Sequence, residues 1–309
     1  MPTNRRDFIR NTTLAGSALA LGSQNMQTMA TDKPGFPIPA AFKVIILATN
    51  WGFQGTHDEF CASAKASGYD GVEIWLPGPE AQRQAFFEAT AKHGLQYGFL
   101  AAGSSPQYPE HFAQFTKSVE AAAAHKPLFI NCHSGRDHFS FEQNKAFIDF
   151  TTALTHSTGV PIYHETHRSR ILFAAHIARQ FIEKIPDLRL TLDISHWCNV
   201  HESLLQDQAE TVQLALSRTD HIHSRVGFEE GPQINEPRAP EWKNALDAHL
   251  AWWDKVVETK IQTGGALTMT TEFGPPNYMP ALPYTRQPVA DLWEVNAWMK
   301  DLWRERYGS

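Results

Sequence analysis

From residue 43 onward, short apolar, β-rich runs alternate with longer stretches in which apolar residues recur at helical spacing. The runs fall at 43–48, 71–75, 96–101, 128–132, 161–164, 189–192, 221–223 and 266–271, each about one strand long. Amphipathic stretches at 59–66, 81–92, 109–124, 141–156, 170–185, 204–217, 242–259 and 289–304 lie between and after them. Gly68, Gly94, Gly159 and Pro186 punctuate the return to strand, since glycine takes the left-handed backbone that closes a helix and proline cannot continue one. Eight alternations predict a closed parallel sheet, a single-domain (β/α)8 TIM barrel. A doubly wound open sheet usually has fewer strands and carries a Gly-rich turn after the first, which is missing here.

The chain has 309 residues and a net charge of -6, enough for one such barrel of ~250 residues plus a leader. Lys and Arg are scattered rather than striped, which argues against nucleic acid as a partner. The leader reads Asn4-Arg5-Arg6-Asp7-Phe8-Ile9-Arg10 before an apolar run over 12–21. That twin-arginine pattern predicts a signal peptide over 1–30, cleavage after Ala30 and a periplasmic barrel over 31–309. The run is shorter than the ~20 residues a bilayer span needs, so no membrane anchor is expected after cleavage. Cys61, Cys132 and Cys198 show no zinc spacing and read as buried small hydrophobes, although an oxidising compartment would permit one bridge. The loop 227–241, GFEEGPQINEPRAP at its start, is rich in Pro, Gly and acids and would form a lid or substrate wall on the carboxyl face.

Four late strands end on metal-type ligands: Glu165 in VPIYHETH, Asp193 in LTLDISHW, His223 in DHIHSRVG and Glu272 in LTMTTEFGPP. Any one carboxylate at a strand end is as readily a helix cap or an ion-pair partner. In a parallel barrel, however, strands five to eight bring all four to one face, and three carboxylates with one imidazole suit a hard divalent cation. Manganese is favoured, with magnesium, cobalt and zinc as alternatives. His133 after strand four is a candidate for the same face, as is His167 beside Arg168 and Arg170. Glu73 within VEIW would hold a substrate hydroxyl or pair inside the barrel. Trp51, Trp75 and Trp197 would pack in the core or wall a sugar ring.

These residues resemble the xylose isomerase-like TIM barrels, a family that includes the tagatose and psicose 3-epimerases. The likeness rests on VEIW after a Gly-Tyr-Asp-Gly turn, a Glu ending strand five, Asp-x-x-His after strand six, His-x-His on strand seven and Glu-Phe on strand eight. The resemblance implies Glu165, Asp193, His223 and Glu272 as metal ligands and His196 as a substrate contact. It further implies that Glu165 and Glu272 exchange a proton on opposite faces of a sugar carbon through an enediolate. His223 is preferred to His221 because it matches the family ligand, and His221 would sit a layer deeper. The His-Glu-Thr-His-Arg run around Glu165 and the sequence after His223 depart from the epimerases, which leaves Arg225 as a candidate substrate contact only.

The expected function is therefore a divalent-metal-dependent isomerase or epimerase of a free sugar or sugar derivative. The alternatives are a metal-dependent lyase or hydrolase of 3-keto-glycosides, a relative of the apurinic-site endonucleases, and a sugar-binding protein without turnover. The acidic balance argues against the endonuclease. Assembly into a homo-oligomer is left open.

Overall fold

The computed structural model describes residues 33–308. The twin-arginine leader and its cleavage point lie outside them. Eight parallel strands close on themselves in chain order: β1 (Val44–Thr49), β2 (Gly71–Trp75), β3 (Gln96–Ala102), β4 (Ile130–His133), β5 (Ile162–Glu165), β6 (Leu190–Leu192), β7 (Thr219–His223) and β8 (Leu267–Thr271). β1 pairs with both β2 and β8, which completes the (β/α)8 barrel. Helices α1 (His57–Ala66), α2 (Glu80–His93), α3 (Tyr108–Ala123) and α4 (Phe141–Thr158) follow the first four strands. After them come α5 (Ala175–Lys184), α6 (Ser195–His201), α7 (Ala209–Leu216), α8 (Lys243–Thr263) and α9 (Leu292–Tyr307).

Period-two alternation sorts each strand into two faces. Val44, Ile46, Ala48, Val72, Ile74, Phe99, Leu190, Leu192, Ile222, Leu267 and Met269 join the hydrophobic cluster between strands and helices. The alternate positions, among them Glu73, Asn131, Glu165, Thr191, His221, His223 and Thr270, are polar and buried, and hydrogen bonds between several of them cross the barrel. The bottom of that interior is closed by Phe129, whose ring lies so near Gly98 that an added Cβ would stand 2.6 Å from it. An apolar shell thus carries a polar interior, and the interior opens where the strands end.

Local chemistry sets where the helices begin. Thr56 and Ser140 form capping boxes with Glu59 and Gln143, so α1 starts at His57, two residues ahead of the periodic stretch. The helix expected over 170–185 begins only at Ala175, because Ser169 adopts a left-handed backbone (φ 61°) and the next residues form a turn. The stretch expected over 204–217 is helical only from Ala209, and a further short helix, α6, follows Asp193 directly. The loop beginning at Gly227 is stapled down: the Gly227 N–H donates to His249 Nε2 (3.2 Å), and the Gln233 amide exchanges two hydrogen bonds with the Gly274 backbone (2.7 and 3.1 Å). It is a fixed wall. All three cysteines are buried and unpaired, and no described helix is long and apolar enough to cross a membrane.

Candidate metal centre and cleft

At the top of the barrel Glu165, Asp193, His223 and Glu272 each offer one ligand atom, and these atoms lie within 4.8 Å of one another in buried surroundings. Glu165 and His223 are the last residues of β5 and β7, while Asp193 and Glu272 follow β6 and β8 by one residue. Four neighbouring strand ends therefore converge as the sequence pattern anticipates.

The partners of these groups show which atoms are committed and which are free. Glu165 Oε2 accepts from Asn131 Nδ2 at 2.7 Å and lies 2.8 Å from His133 Nε2. Its Oε1 is buried with no hydrogen-bond partner. His223 Nδ1 is 2.8 Å from Glu272 Oε2 and 3.7 Å from Glu165 Oε2, yet it too is buried without an aligned hydrogen bond. Close approach without alignment is what donors sharing a cation show, and orphaned buried polar atoms are otherwise costly. On its far side, His223 Nε2 lies 3.0 Å from Glu73 Oε2. A carboxylate only accepts, so Nε2 carries the hydrogen, and Nδ1 is the nitrogen left to take a cation or, without one, a proton.

Glu73 itself is 1% exposed and does not line the cleft. It accepts from Thr270 Oγ1 (2.5 Å) and His221 Nε2 (3.2 Å) as well as from His223. The expectation that it holds a substrate hydroxyl is corrected: it supports the ligand layer from below. His221 also lies in that lower layer, bonded through Nδ1 to Thr268 Oγ1 at 2.7 Å.

Electrostatics favour a cation at this point. Burial alone would raise the Glu165 and Glu73 pKa values, but neighbouring imidazoles, His133 and His223 for the first and His223 and His221 for the second, hold both well below the usual carboxylate range. Burial pushes Asp193 up to about 6; Arg225 opposes that rise, while Glu272 and Glu165 add to it. Burial would lower His223, yet Glu272, Glu73 and Glu165 hold it well above the ordinary imidazole range. Acids that draw a proton onto a buried imidazole leave surplus negative charge there. A divalent cation on Glu165, Asp193, His223 Nδ1 and Glu272 would neutralise it, so the residues fit the metal expected for the site.

Arg225 is buried, with its Nη2 on Asp193 Oδ2, 3.2 Å from Glu272 Oε2 and 3.1 Å from His196 Nε2. Expected as a substrate contact, it lines the cleft but spends its guanidinium on two carboxylates of the ligand set. Fully buried His196 does not line the cleft, although its Nδ1 has no partner. The cleft, about 360 Å³, is lined by Thr49, Asn50, Trp51, Gly52, Trp75, Leu100, His133, His167, Arg225, Glu272 and Tyr278. His133 and His167 are therefore placed as expected, and burial, with His133 adding, pushes His167 down to about 3. Trp51 packs against Gly274, where any side chain would displace it, and meets Tyr278 edge-on at 4.9 Å. Trp197, by contrast, is core, its Nε1 bonded to Leu172 O at 2.9 Å.

Sequence reasoning missed Tyr278, Asn131 and Ser195, whose hydroxyl donates to Asp193 Oδ1. Tyr278 had a signal in PPNYMP, an aromatic just beyond strand eight; Asn131 had one in sharing the inward face with His133, two residues on.

The sequence profile described as xylose isomerase-like TIM barrel matches residues 61–236, more than half the chain. No curated protein matches in sequence. Among solved structures, an apo-form 3-keto-D-glucoside 4-epimerase from E. coli is similar with TM-score 0.58 and 14% identity, over 85% of this chain and 100% of that one. A probable 3-DHS dehydratase involved in petrobactin synthesis from Bacillus anthracis gives TM-score 0.54 at 14% identity, over 84% and 98% of the two chains. A D-tagatose 3-epimerase-like protein gives 0.50 at 13% identity, over 78% and 89%. At such identities the likeness is one of fold.

Proposed function

Because the chain belongs to the xylose isomerase-like TIM barrel family, we propose that it is a divalent-metal-dependent isomerase or epimerase of a sugar or sugar derivative, using manganese and working in the periplasm after twin-arginine export. One observation carries the reading: four ligand atoms of Glu165, Asp193, His223 and Glu272 lie within 4.8 Å at the barrel mouth, and two of these residues keep a buried, unpartnered atom there. A sugar is the proposed substrate class because two of the similar folds are named for sugar epimerases, and because an aromatic and histidine-lined cleft suits a hydroxylated ring.

A cation bound there would withdraw charge from substrate oxygens as a proton leaves the adjacent carbon. Glu165 and Glu272 move that proton, one removing it and the other returning it. Glu165 is fixed by Asn131 and His133 through Oε2, which leaves Oε1 unencumbered. Glu272 Oε2 lies 3.2 Å from Arg225 Nη2 and 2.8 Å from His223 Nδ1. Asp193 and His223 complete the ligand set. His167, with its Nδ1–H given to Arg168 O at 2.5 Å, keeps Nε2 as an acceptor for a hydroxyl. Trp51, Trp75 and Tyr278 wall the cleft against bulk water.

Incubating Mn2+-loaded protein with a panel of free sugars and 3-keto-glycosides in D2O tests the reading. The expected result is an isomerised sugar carrying deuterium at the inverted or adjacent carbon. Release of free aglycone instead would make the protein a lyase, and binding without exchange or turnover would make it a binding protein.

A further inference from the structure

Beside the metal centre, three arginines stand on the loops that follow β4 and β5, and among the described residues none of them has a carboxylate within ion-pair distance. Arg170 is the most exposed to this cost: its Nε and Nη1 are shielded from water, yet its guanidinium makes no hydrogen bond. Arg136 gives one bond to the Ser104 carbonyl (3.1 Å) and has its Nε buried without a partner. Arg168 holds only a long bond to Asn199 Oδ1 (3.4 Å) and stacks over Tyr278, 5.0 Å from the ring centroid. Tyr278 is a wall of the cleft and takes Arg225 within 4.6 Å of the same centroid. Arg168 thus packs on a wall of the cleft without lining it, and Arg170 lies within electrostatic reach of Glu165, Arg136, Asp137 and Tyr278.

Half-buried guanidinium groups that repel one another and have donors aimed at nothing are an expensive arrangement unless an anion completes it. The loop is also well tied: Ile171 N–H donates to Ser134 O at 3.1 Å, and Arg170 N–H to His167 O at 3.2 Å. The cations are therefore held in place by the backbone. Building on the proposed sugar chemistry at the metal centre, we infer that the substrate is an acidic sugar derivative whose carboxylate is gripped by Arg168 and Arg170 while its carbon skeleton faces the metal ligands. A planar carboxylate matches the guanidinium fork, and one negative charge matches a set in which Asp137 already offsets part of the positive charge.

The test is calorimetric and independent of turnover. Binding to the Mn2+-loaded protein is measured for paired probes, D-glucuronate against D-glucose and D-galacturonate against D-galactose, with glucose 6-phosphate as a further arm. At least one acid is expected to bind roughly tenfold or more tighter than its neutral partner. The preference should vanish in Arg168→Gln and Arg170→Gln and partly return in Arg170→Lys. Circular dichroism and affinity for the neutral sugar should be unchanged. Equal affinity within each pair, binding of none of the acids, or a preference untouched by either substitution overturns the inference, and tighter binding of the phosphate overturns the carboxylate assignment. Failure of the isomerase reading is separable: it would leave an arginine-dependent preference for the acid without deuterium exchange.

Discussion

Replacing Glu73 by Gln isolates one link between the barrel interior and the metal centre. Glu73 Oε2 receives Thr270 and His221 and lies 3.0 Å from His223 Nε2, while Oε1 meets only His223, at 3.2 Å. A glutamine that keeps its carbonyl toward Thr270 and His221 must turn its NH2 toward His223. Nε2 then faces donors, since the Asn131 amide stands 3.2 Å away on another side, and the imidazole shifts its hydrogen to Nδ1, the atom that should bind metal. Loss of such an outer partner typically weakens metal affinity 10–100-fold, or about 1.4–2.7 kcal/mol at 1.36 kcal/mol per tenfold. Isothermal titration of apo protein with Mn2+ reads the affinity, and 15N chemical shifts in the Zn2+-loaded form read the His223 tautomer. An affinity within about threefold of the parent, with Nε2 still protonated and the fold intact, would refute the reasoning and make Glu73 a packing group only.

Glu165→Gln and Glu272→Gln should each lower turnover by roughly 10²–10⁴, the range for loss of a general acid or base, in a stopped assay on any substrate found active. Chelation should lower the melting temperature, because a cation at 100 times its Kd stabilises the folded chain by about 2.7 kcal/mol; a thermal scan with and without EDTA that shows no difference contradicts a metal site. Burial pushes His164 down to about 3 and His249 down to about 4. Both are neutral in the fold but take up a proton once unfolded, near the ordinary imidazole value of 6.5. Their contribution is present above that value and is lost as pH falls from about 6.5 toward 4 and 3, at about 1.4 kcal/mol per pH unit each. Urea unfolding between pH 7 and 5 should show this slope, and His249→Gln should reduce it.

The barrel was legible because its signal repeats: eight apolar runs, four of them preceded by a helix-ending Gly or Pro, leave few other architectures. The four ligands were legible for a related reason. Once Glu165, Asp193, His223 and Glu272 are assigned to consecutive strand ends of a parallel barrel, topology brings them together. What lay hidden depends on side-chain direction and local backbone. Ser169 breaks a convincing helical pattern through one left-handed residue, and the short α6 after Asp193 is too brief to show a period. Arg225 was read as a candidate substrate contact and Glu73 as either a hydroxyl holder or a carboxylate paired inside the barrel; burial turns Glu73 toward two imidazoles, the second of those readings, and Arg225 toward two carboxylates. Tyr278 reaches the cleft from a Pro-rich segment that periodicity does not describe.

The central claim is that Glu165, Asp193, His223 and Glu272 share one divalent cation. Crystals grown with Mn2+ and measured at the manganese absorption edge test it directly. A single strong anomalous peak is predicted at coordination distance from Nδ1 of His223 and one oxygen of each carboxylate. A map without a peak there, with Arg225 and a protonated His223 alone neutralising the acids, would contradict it.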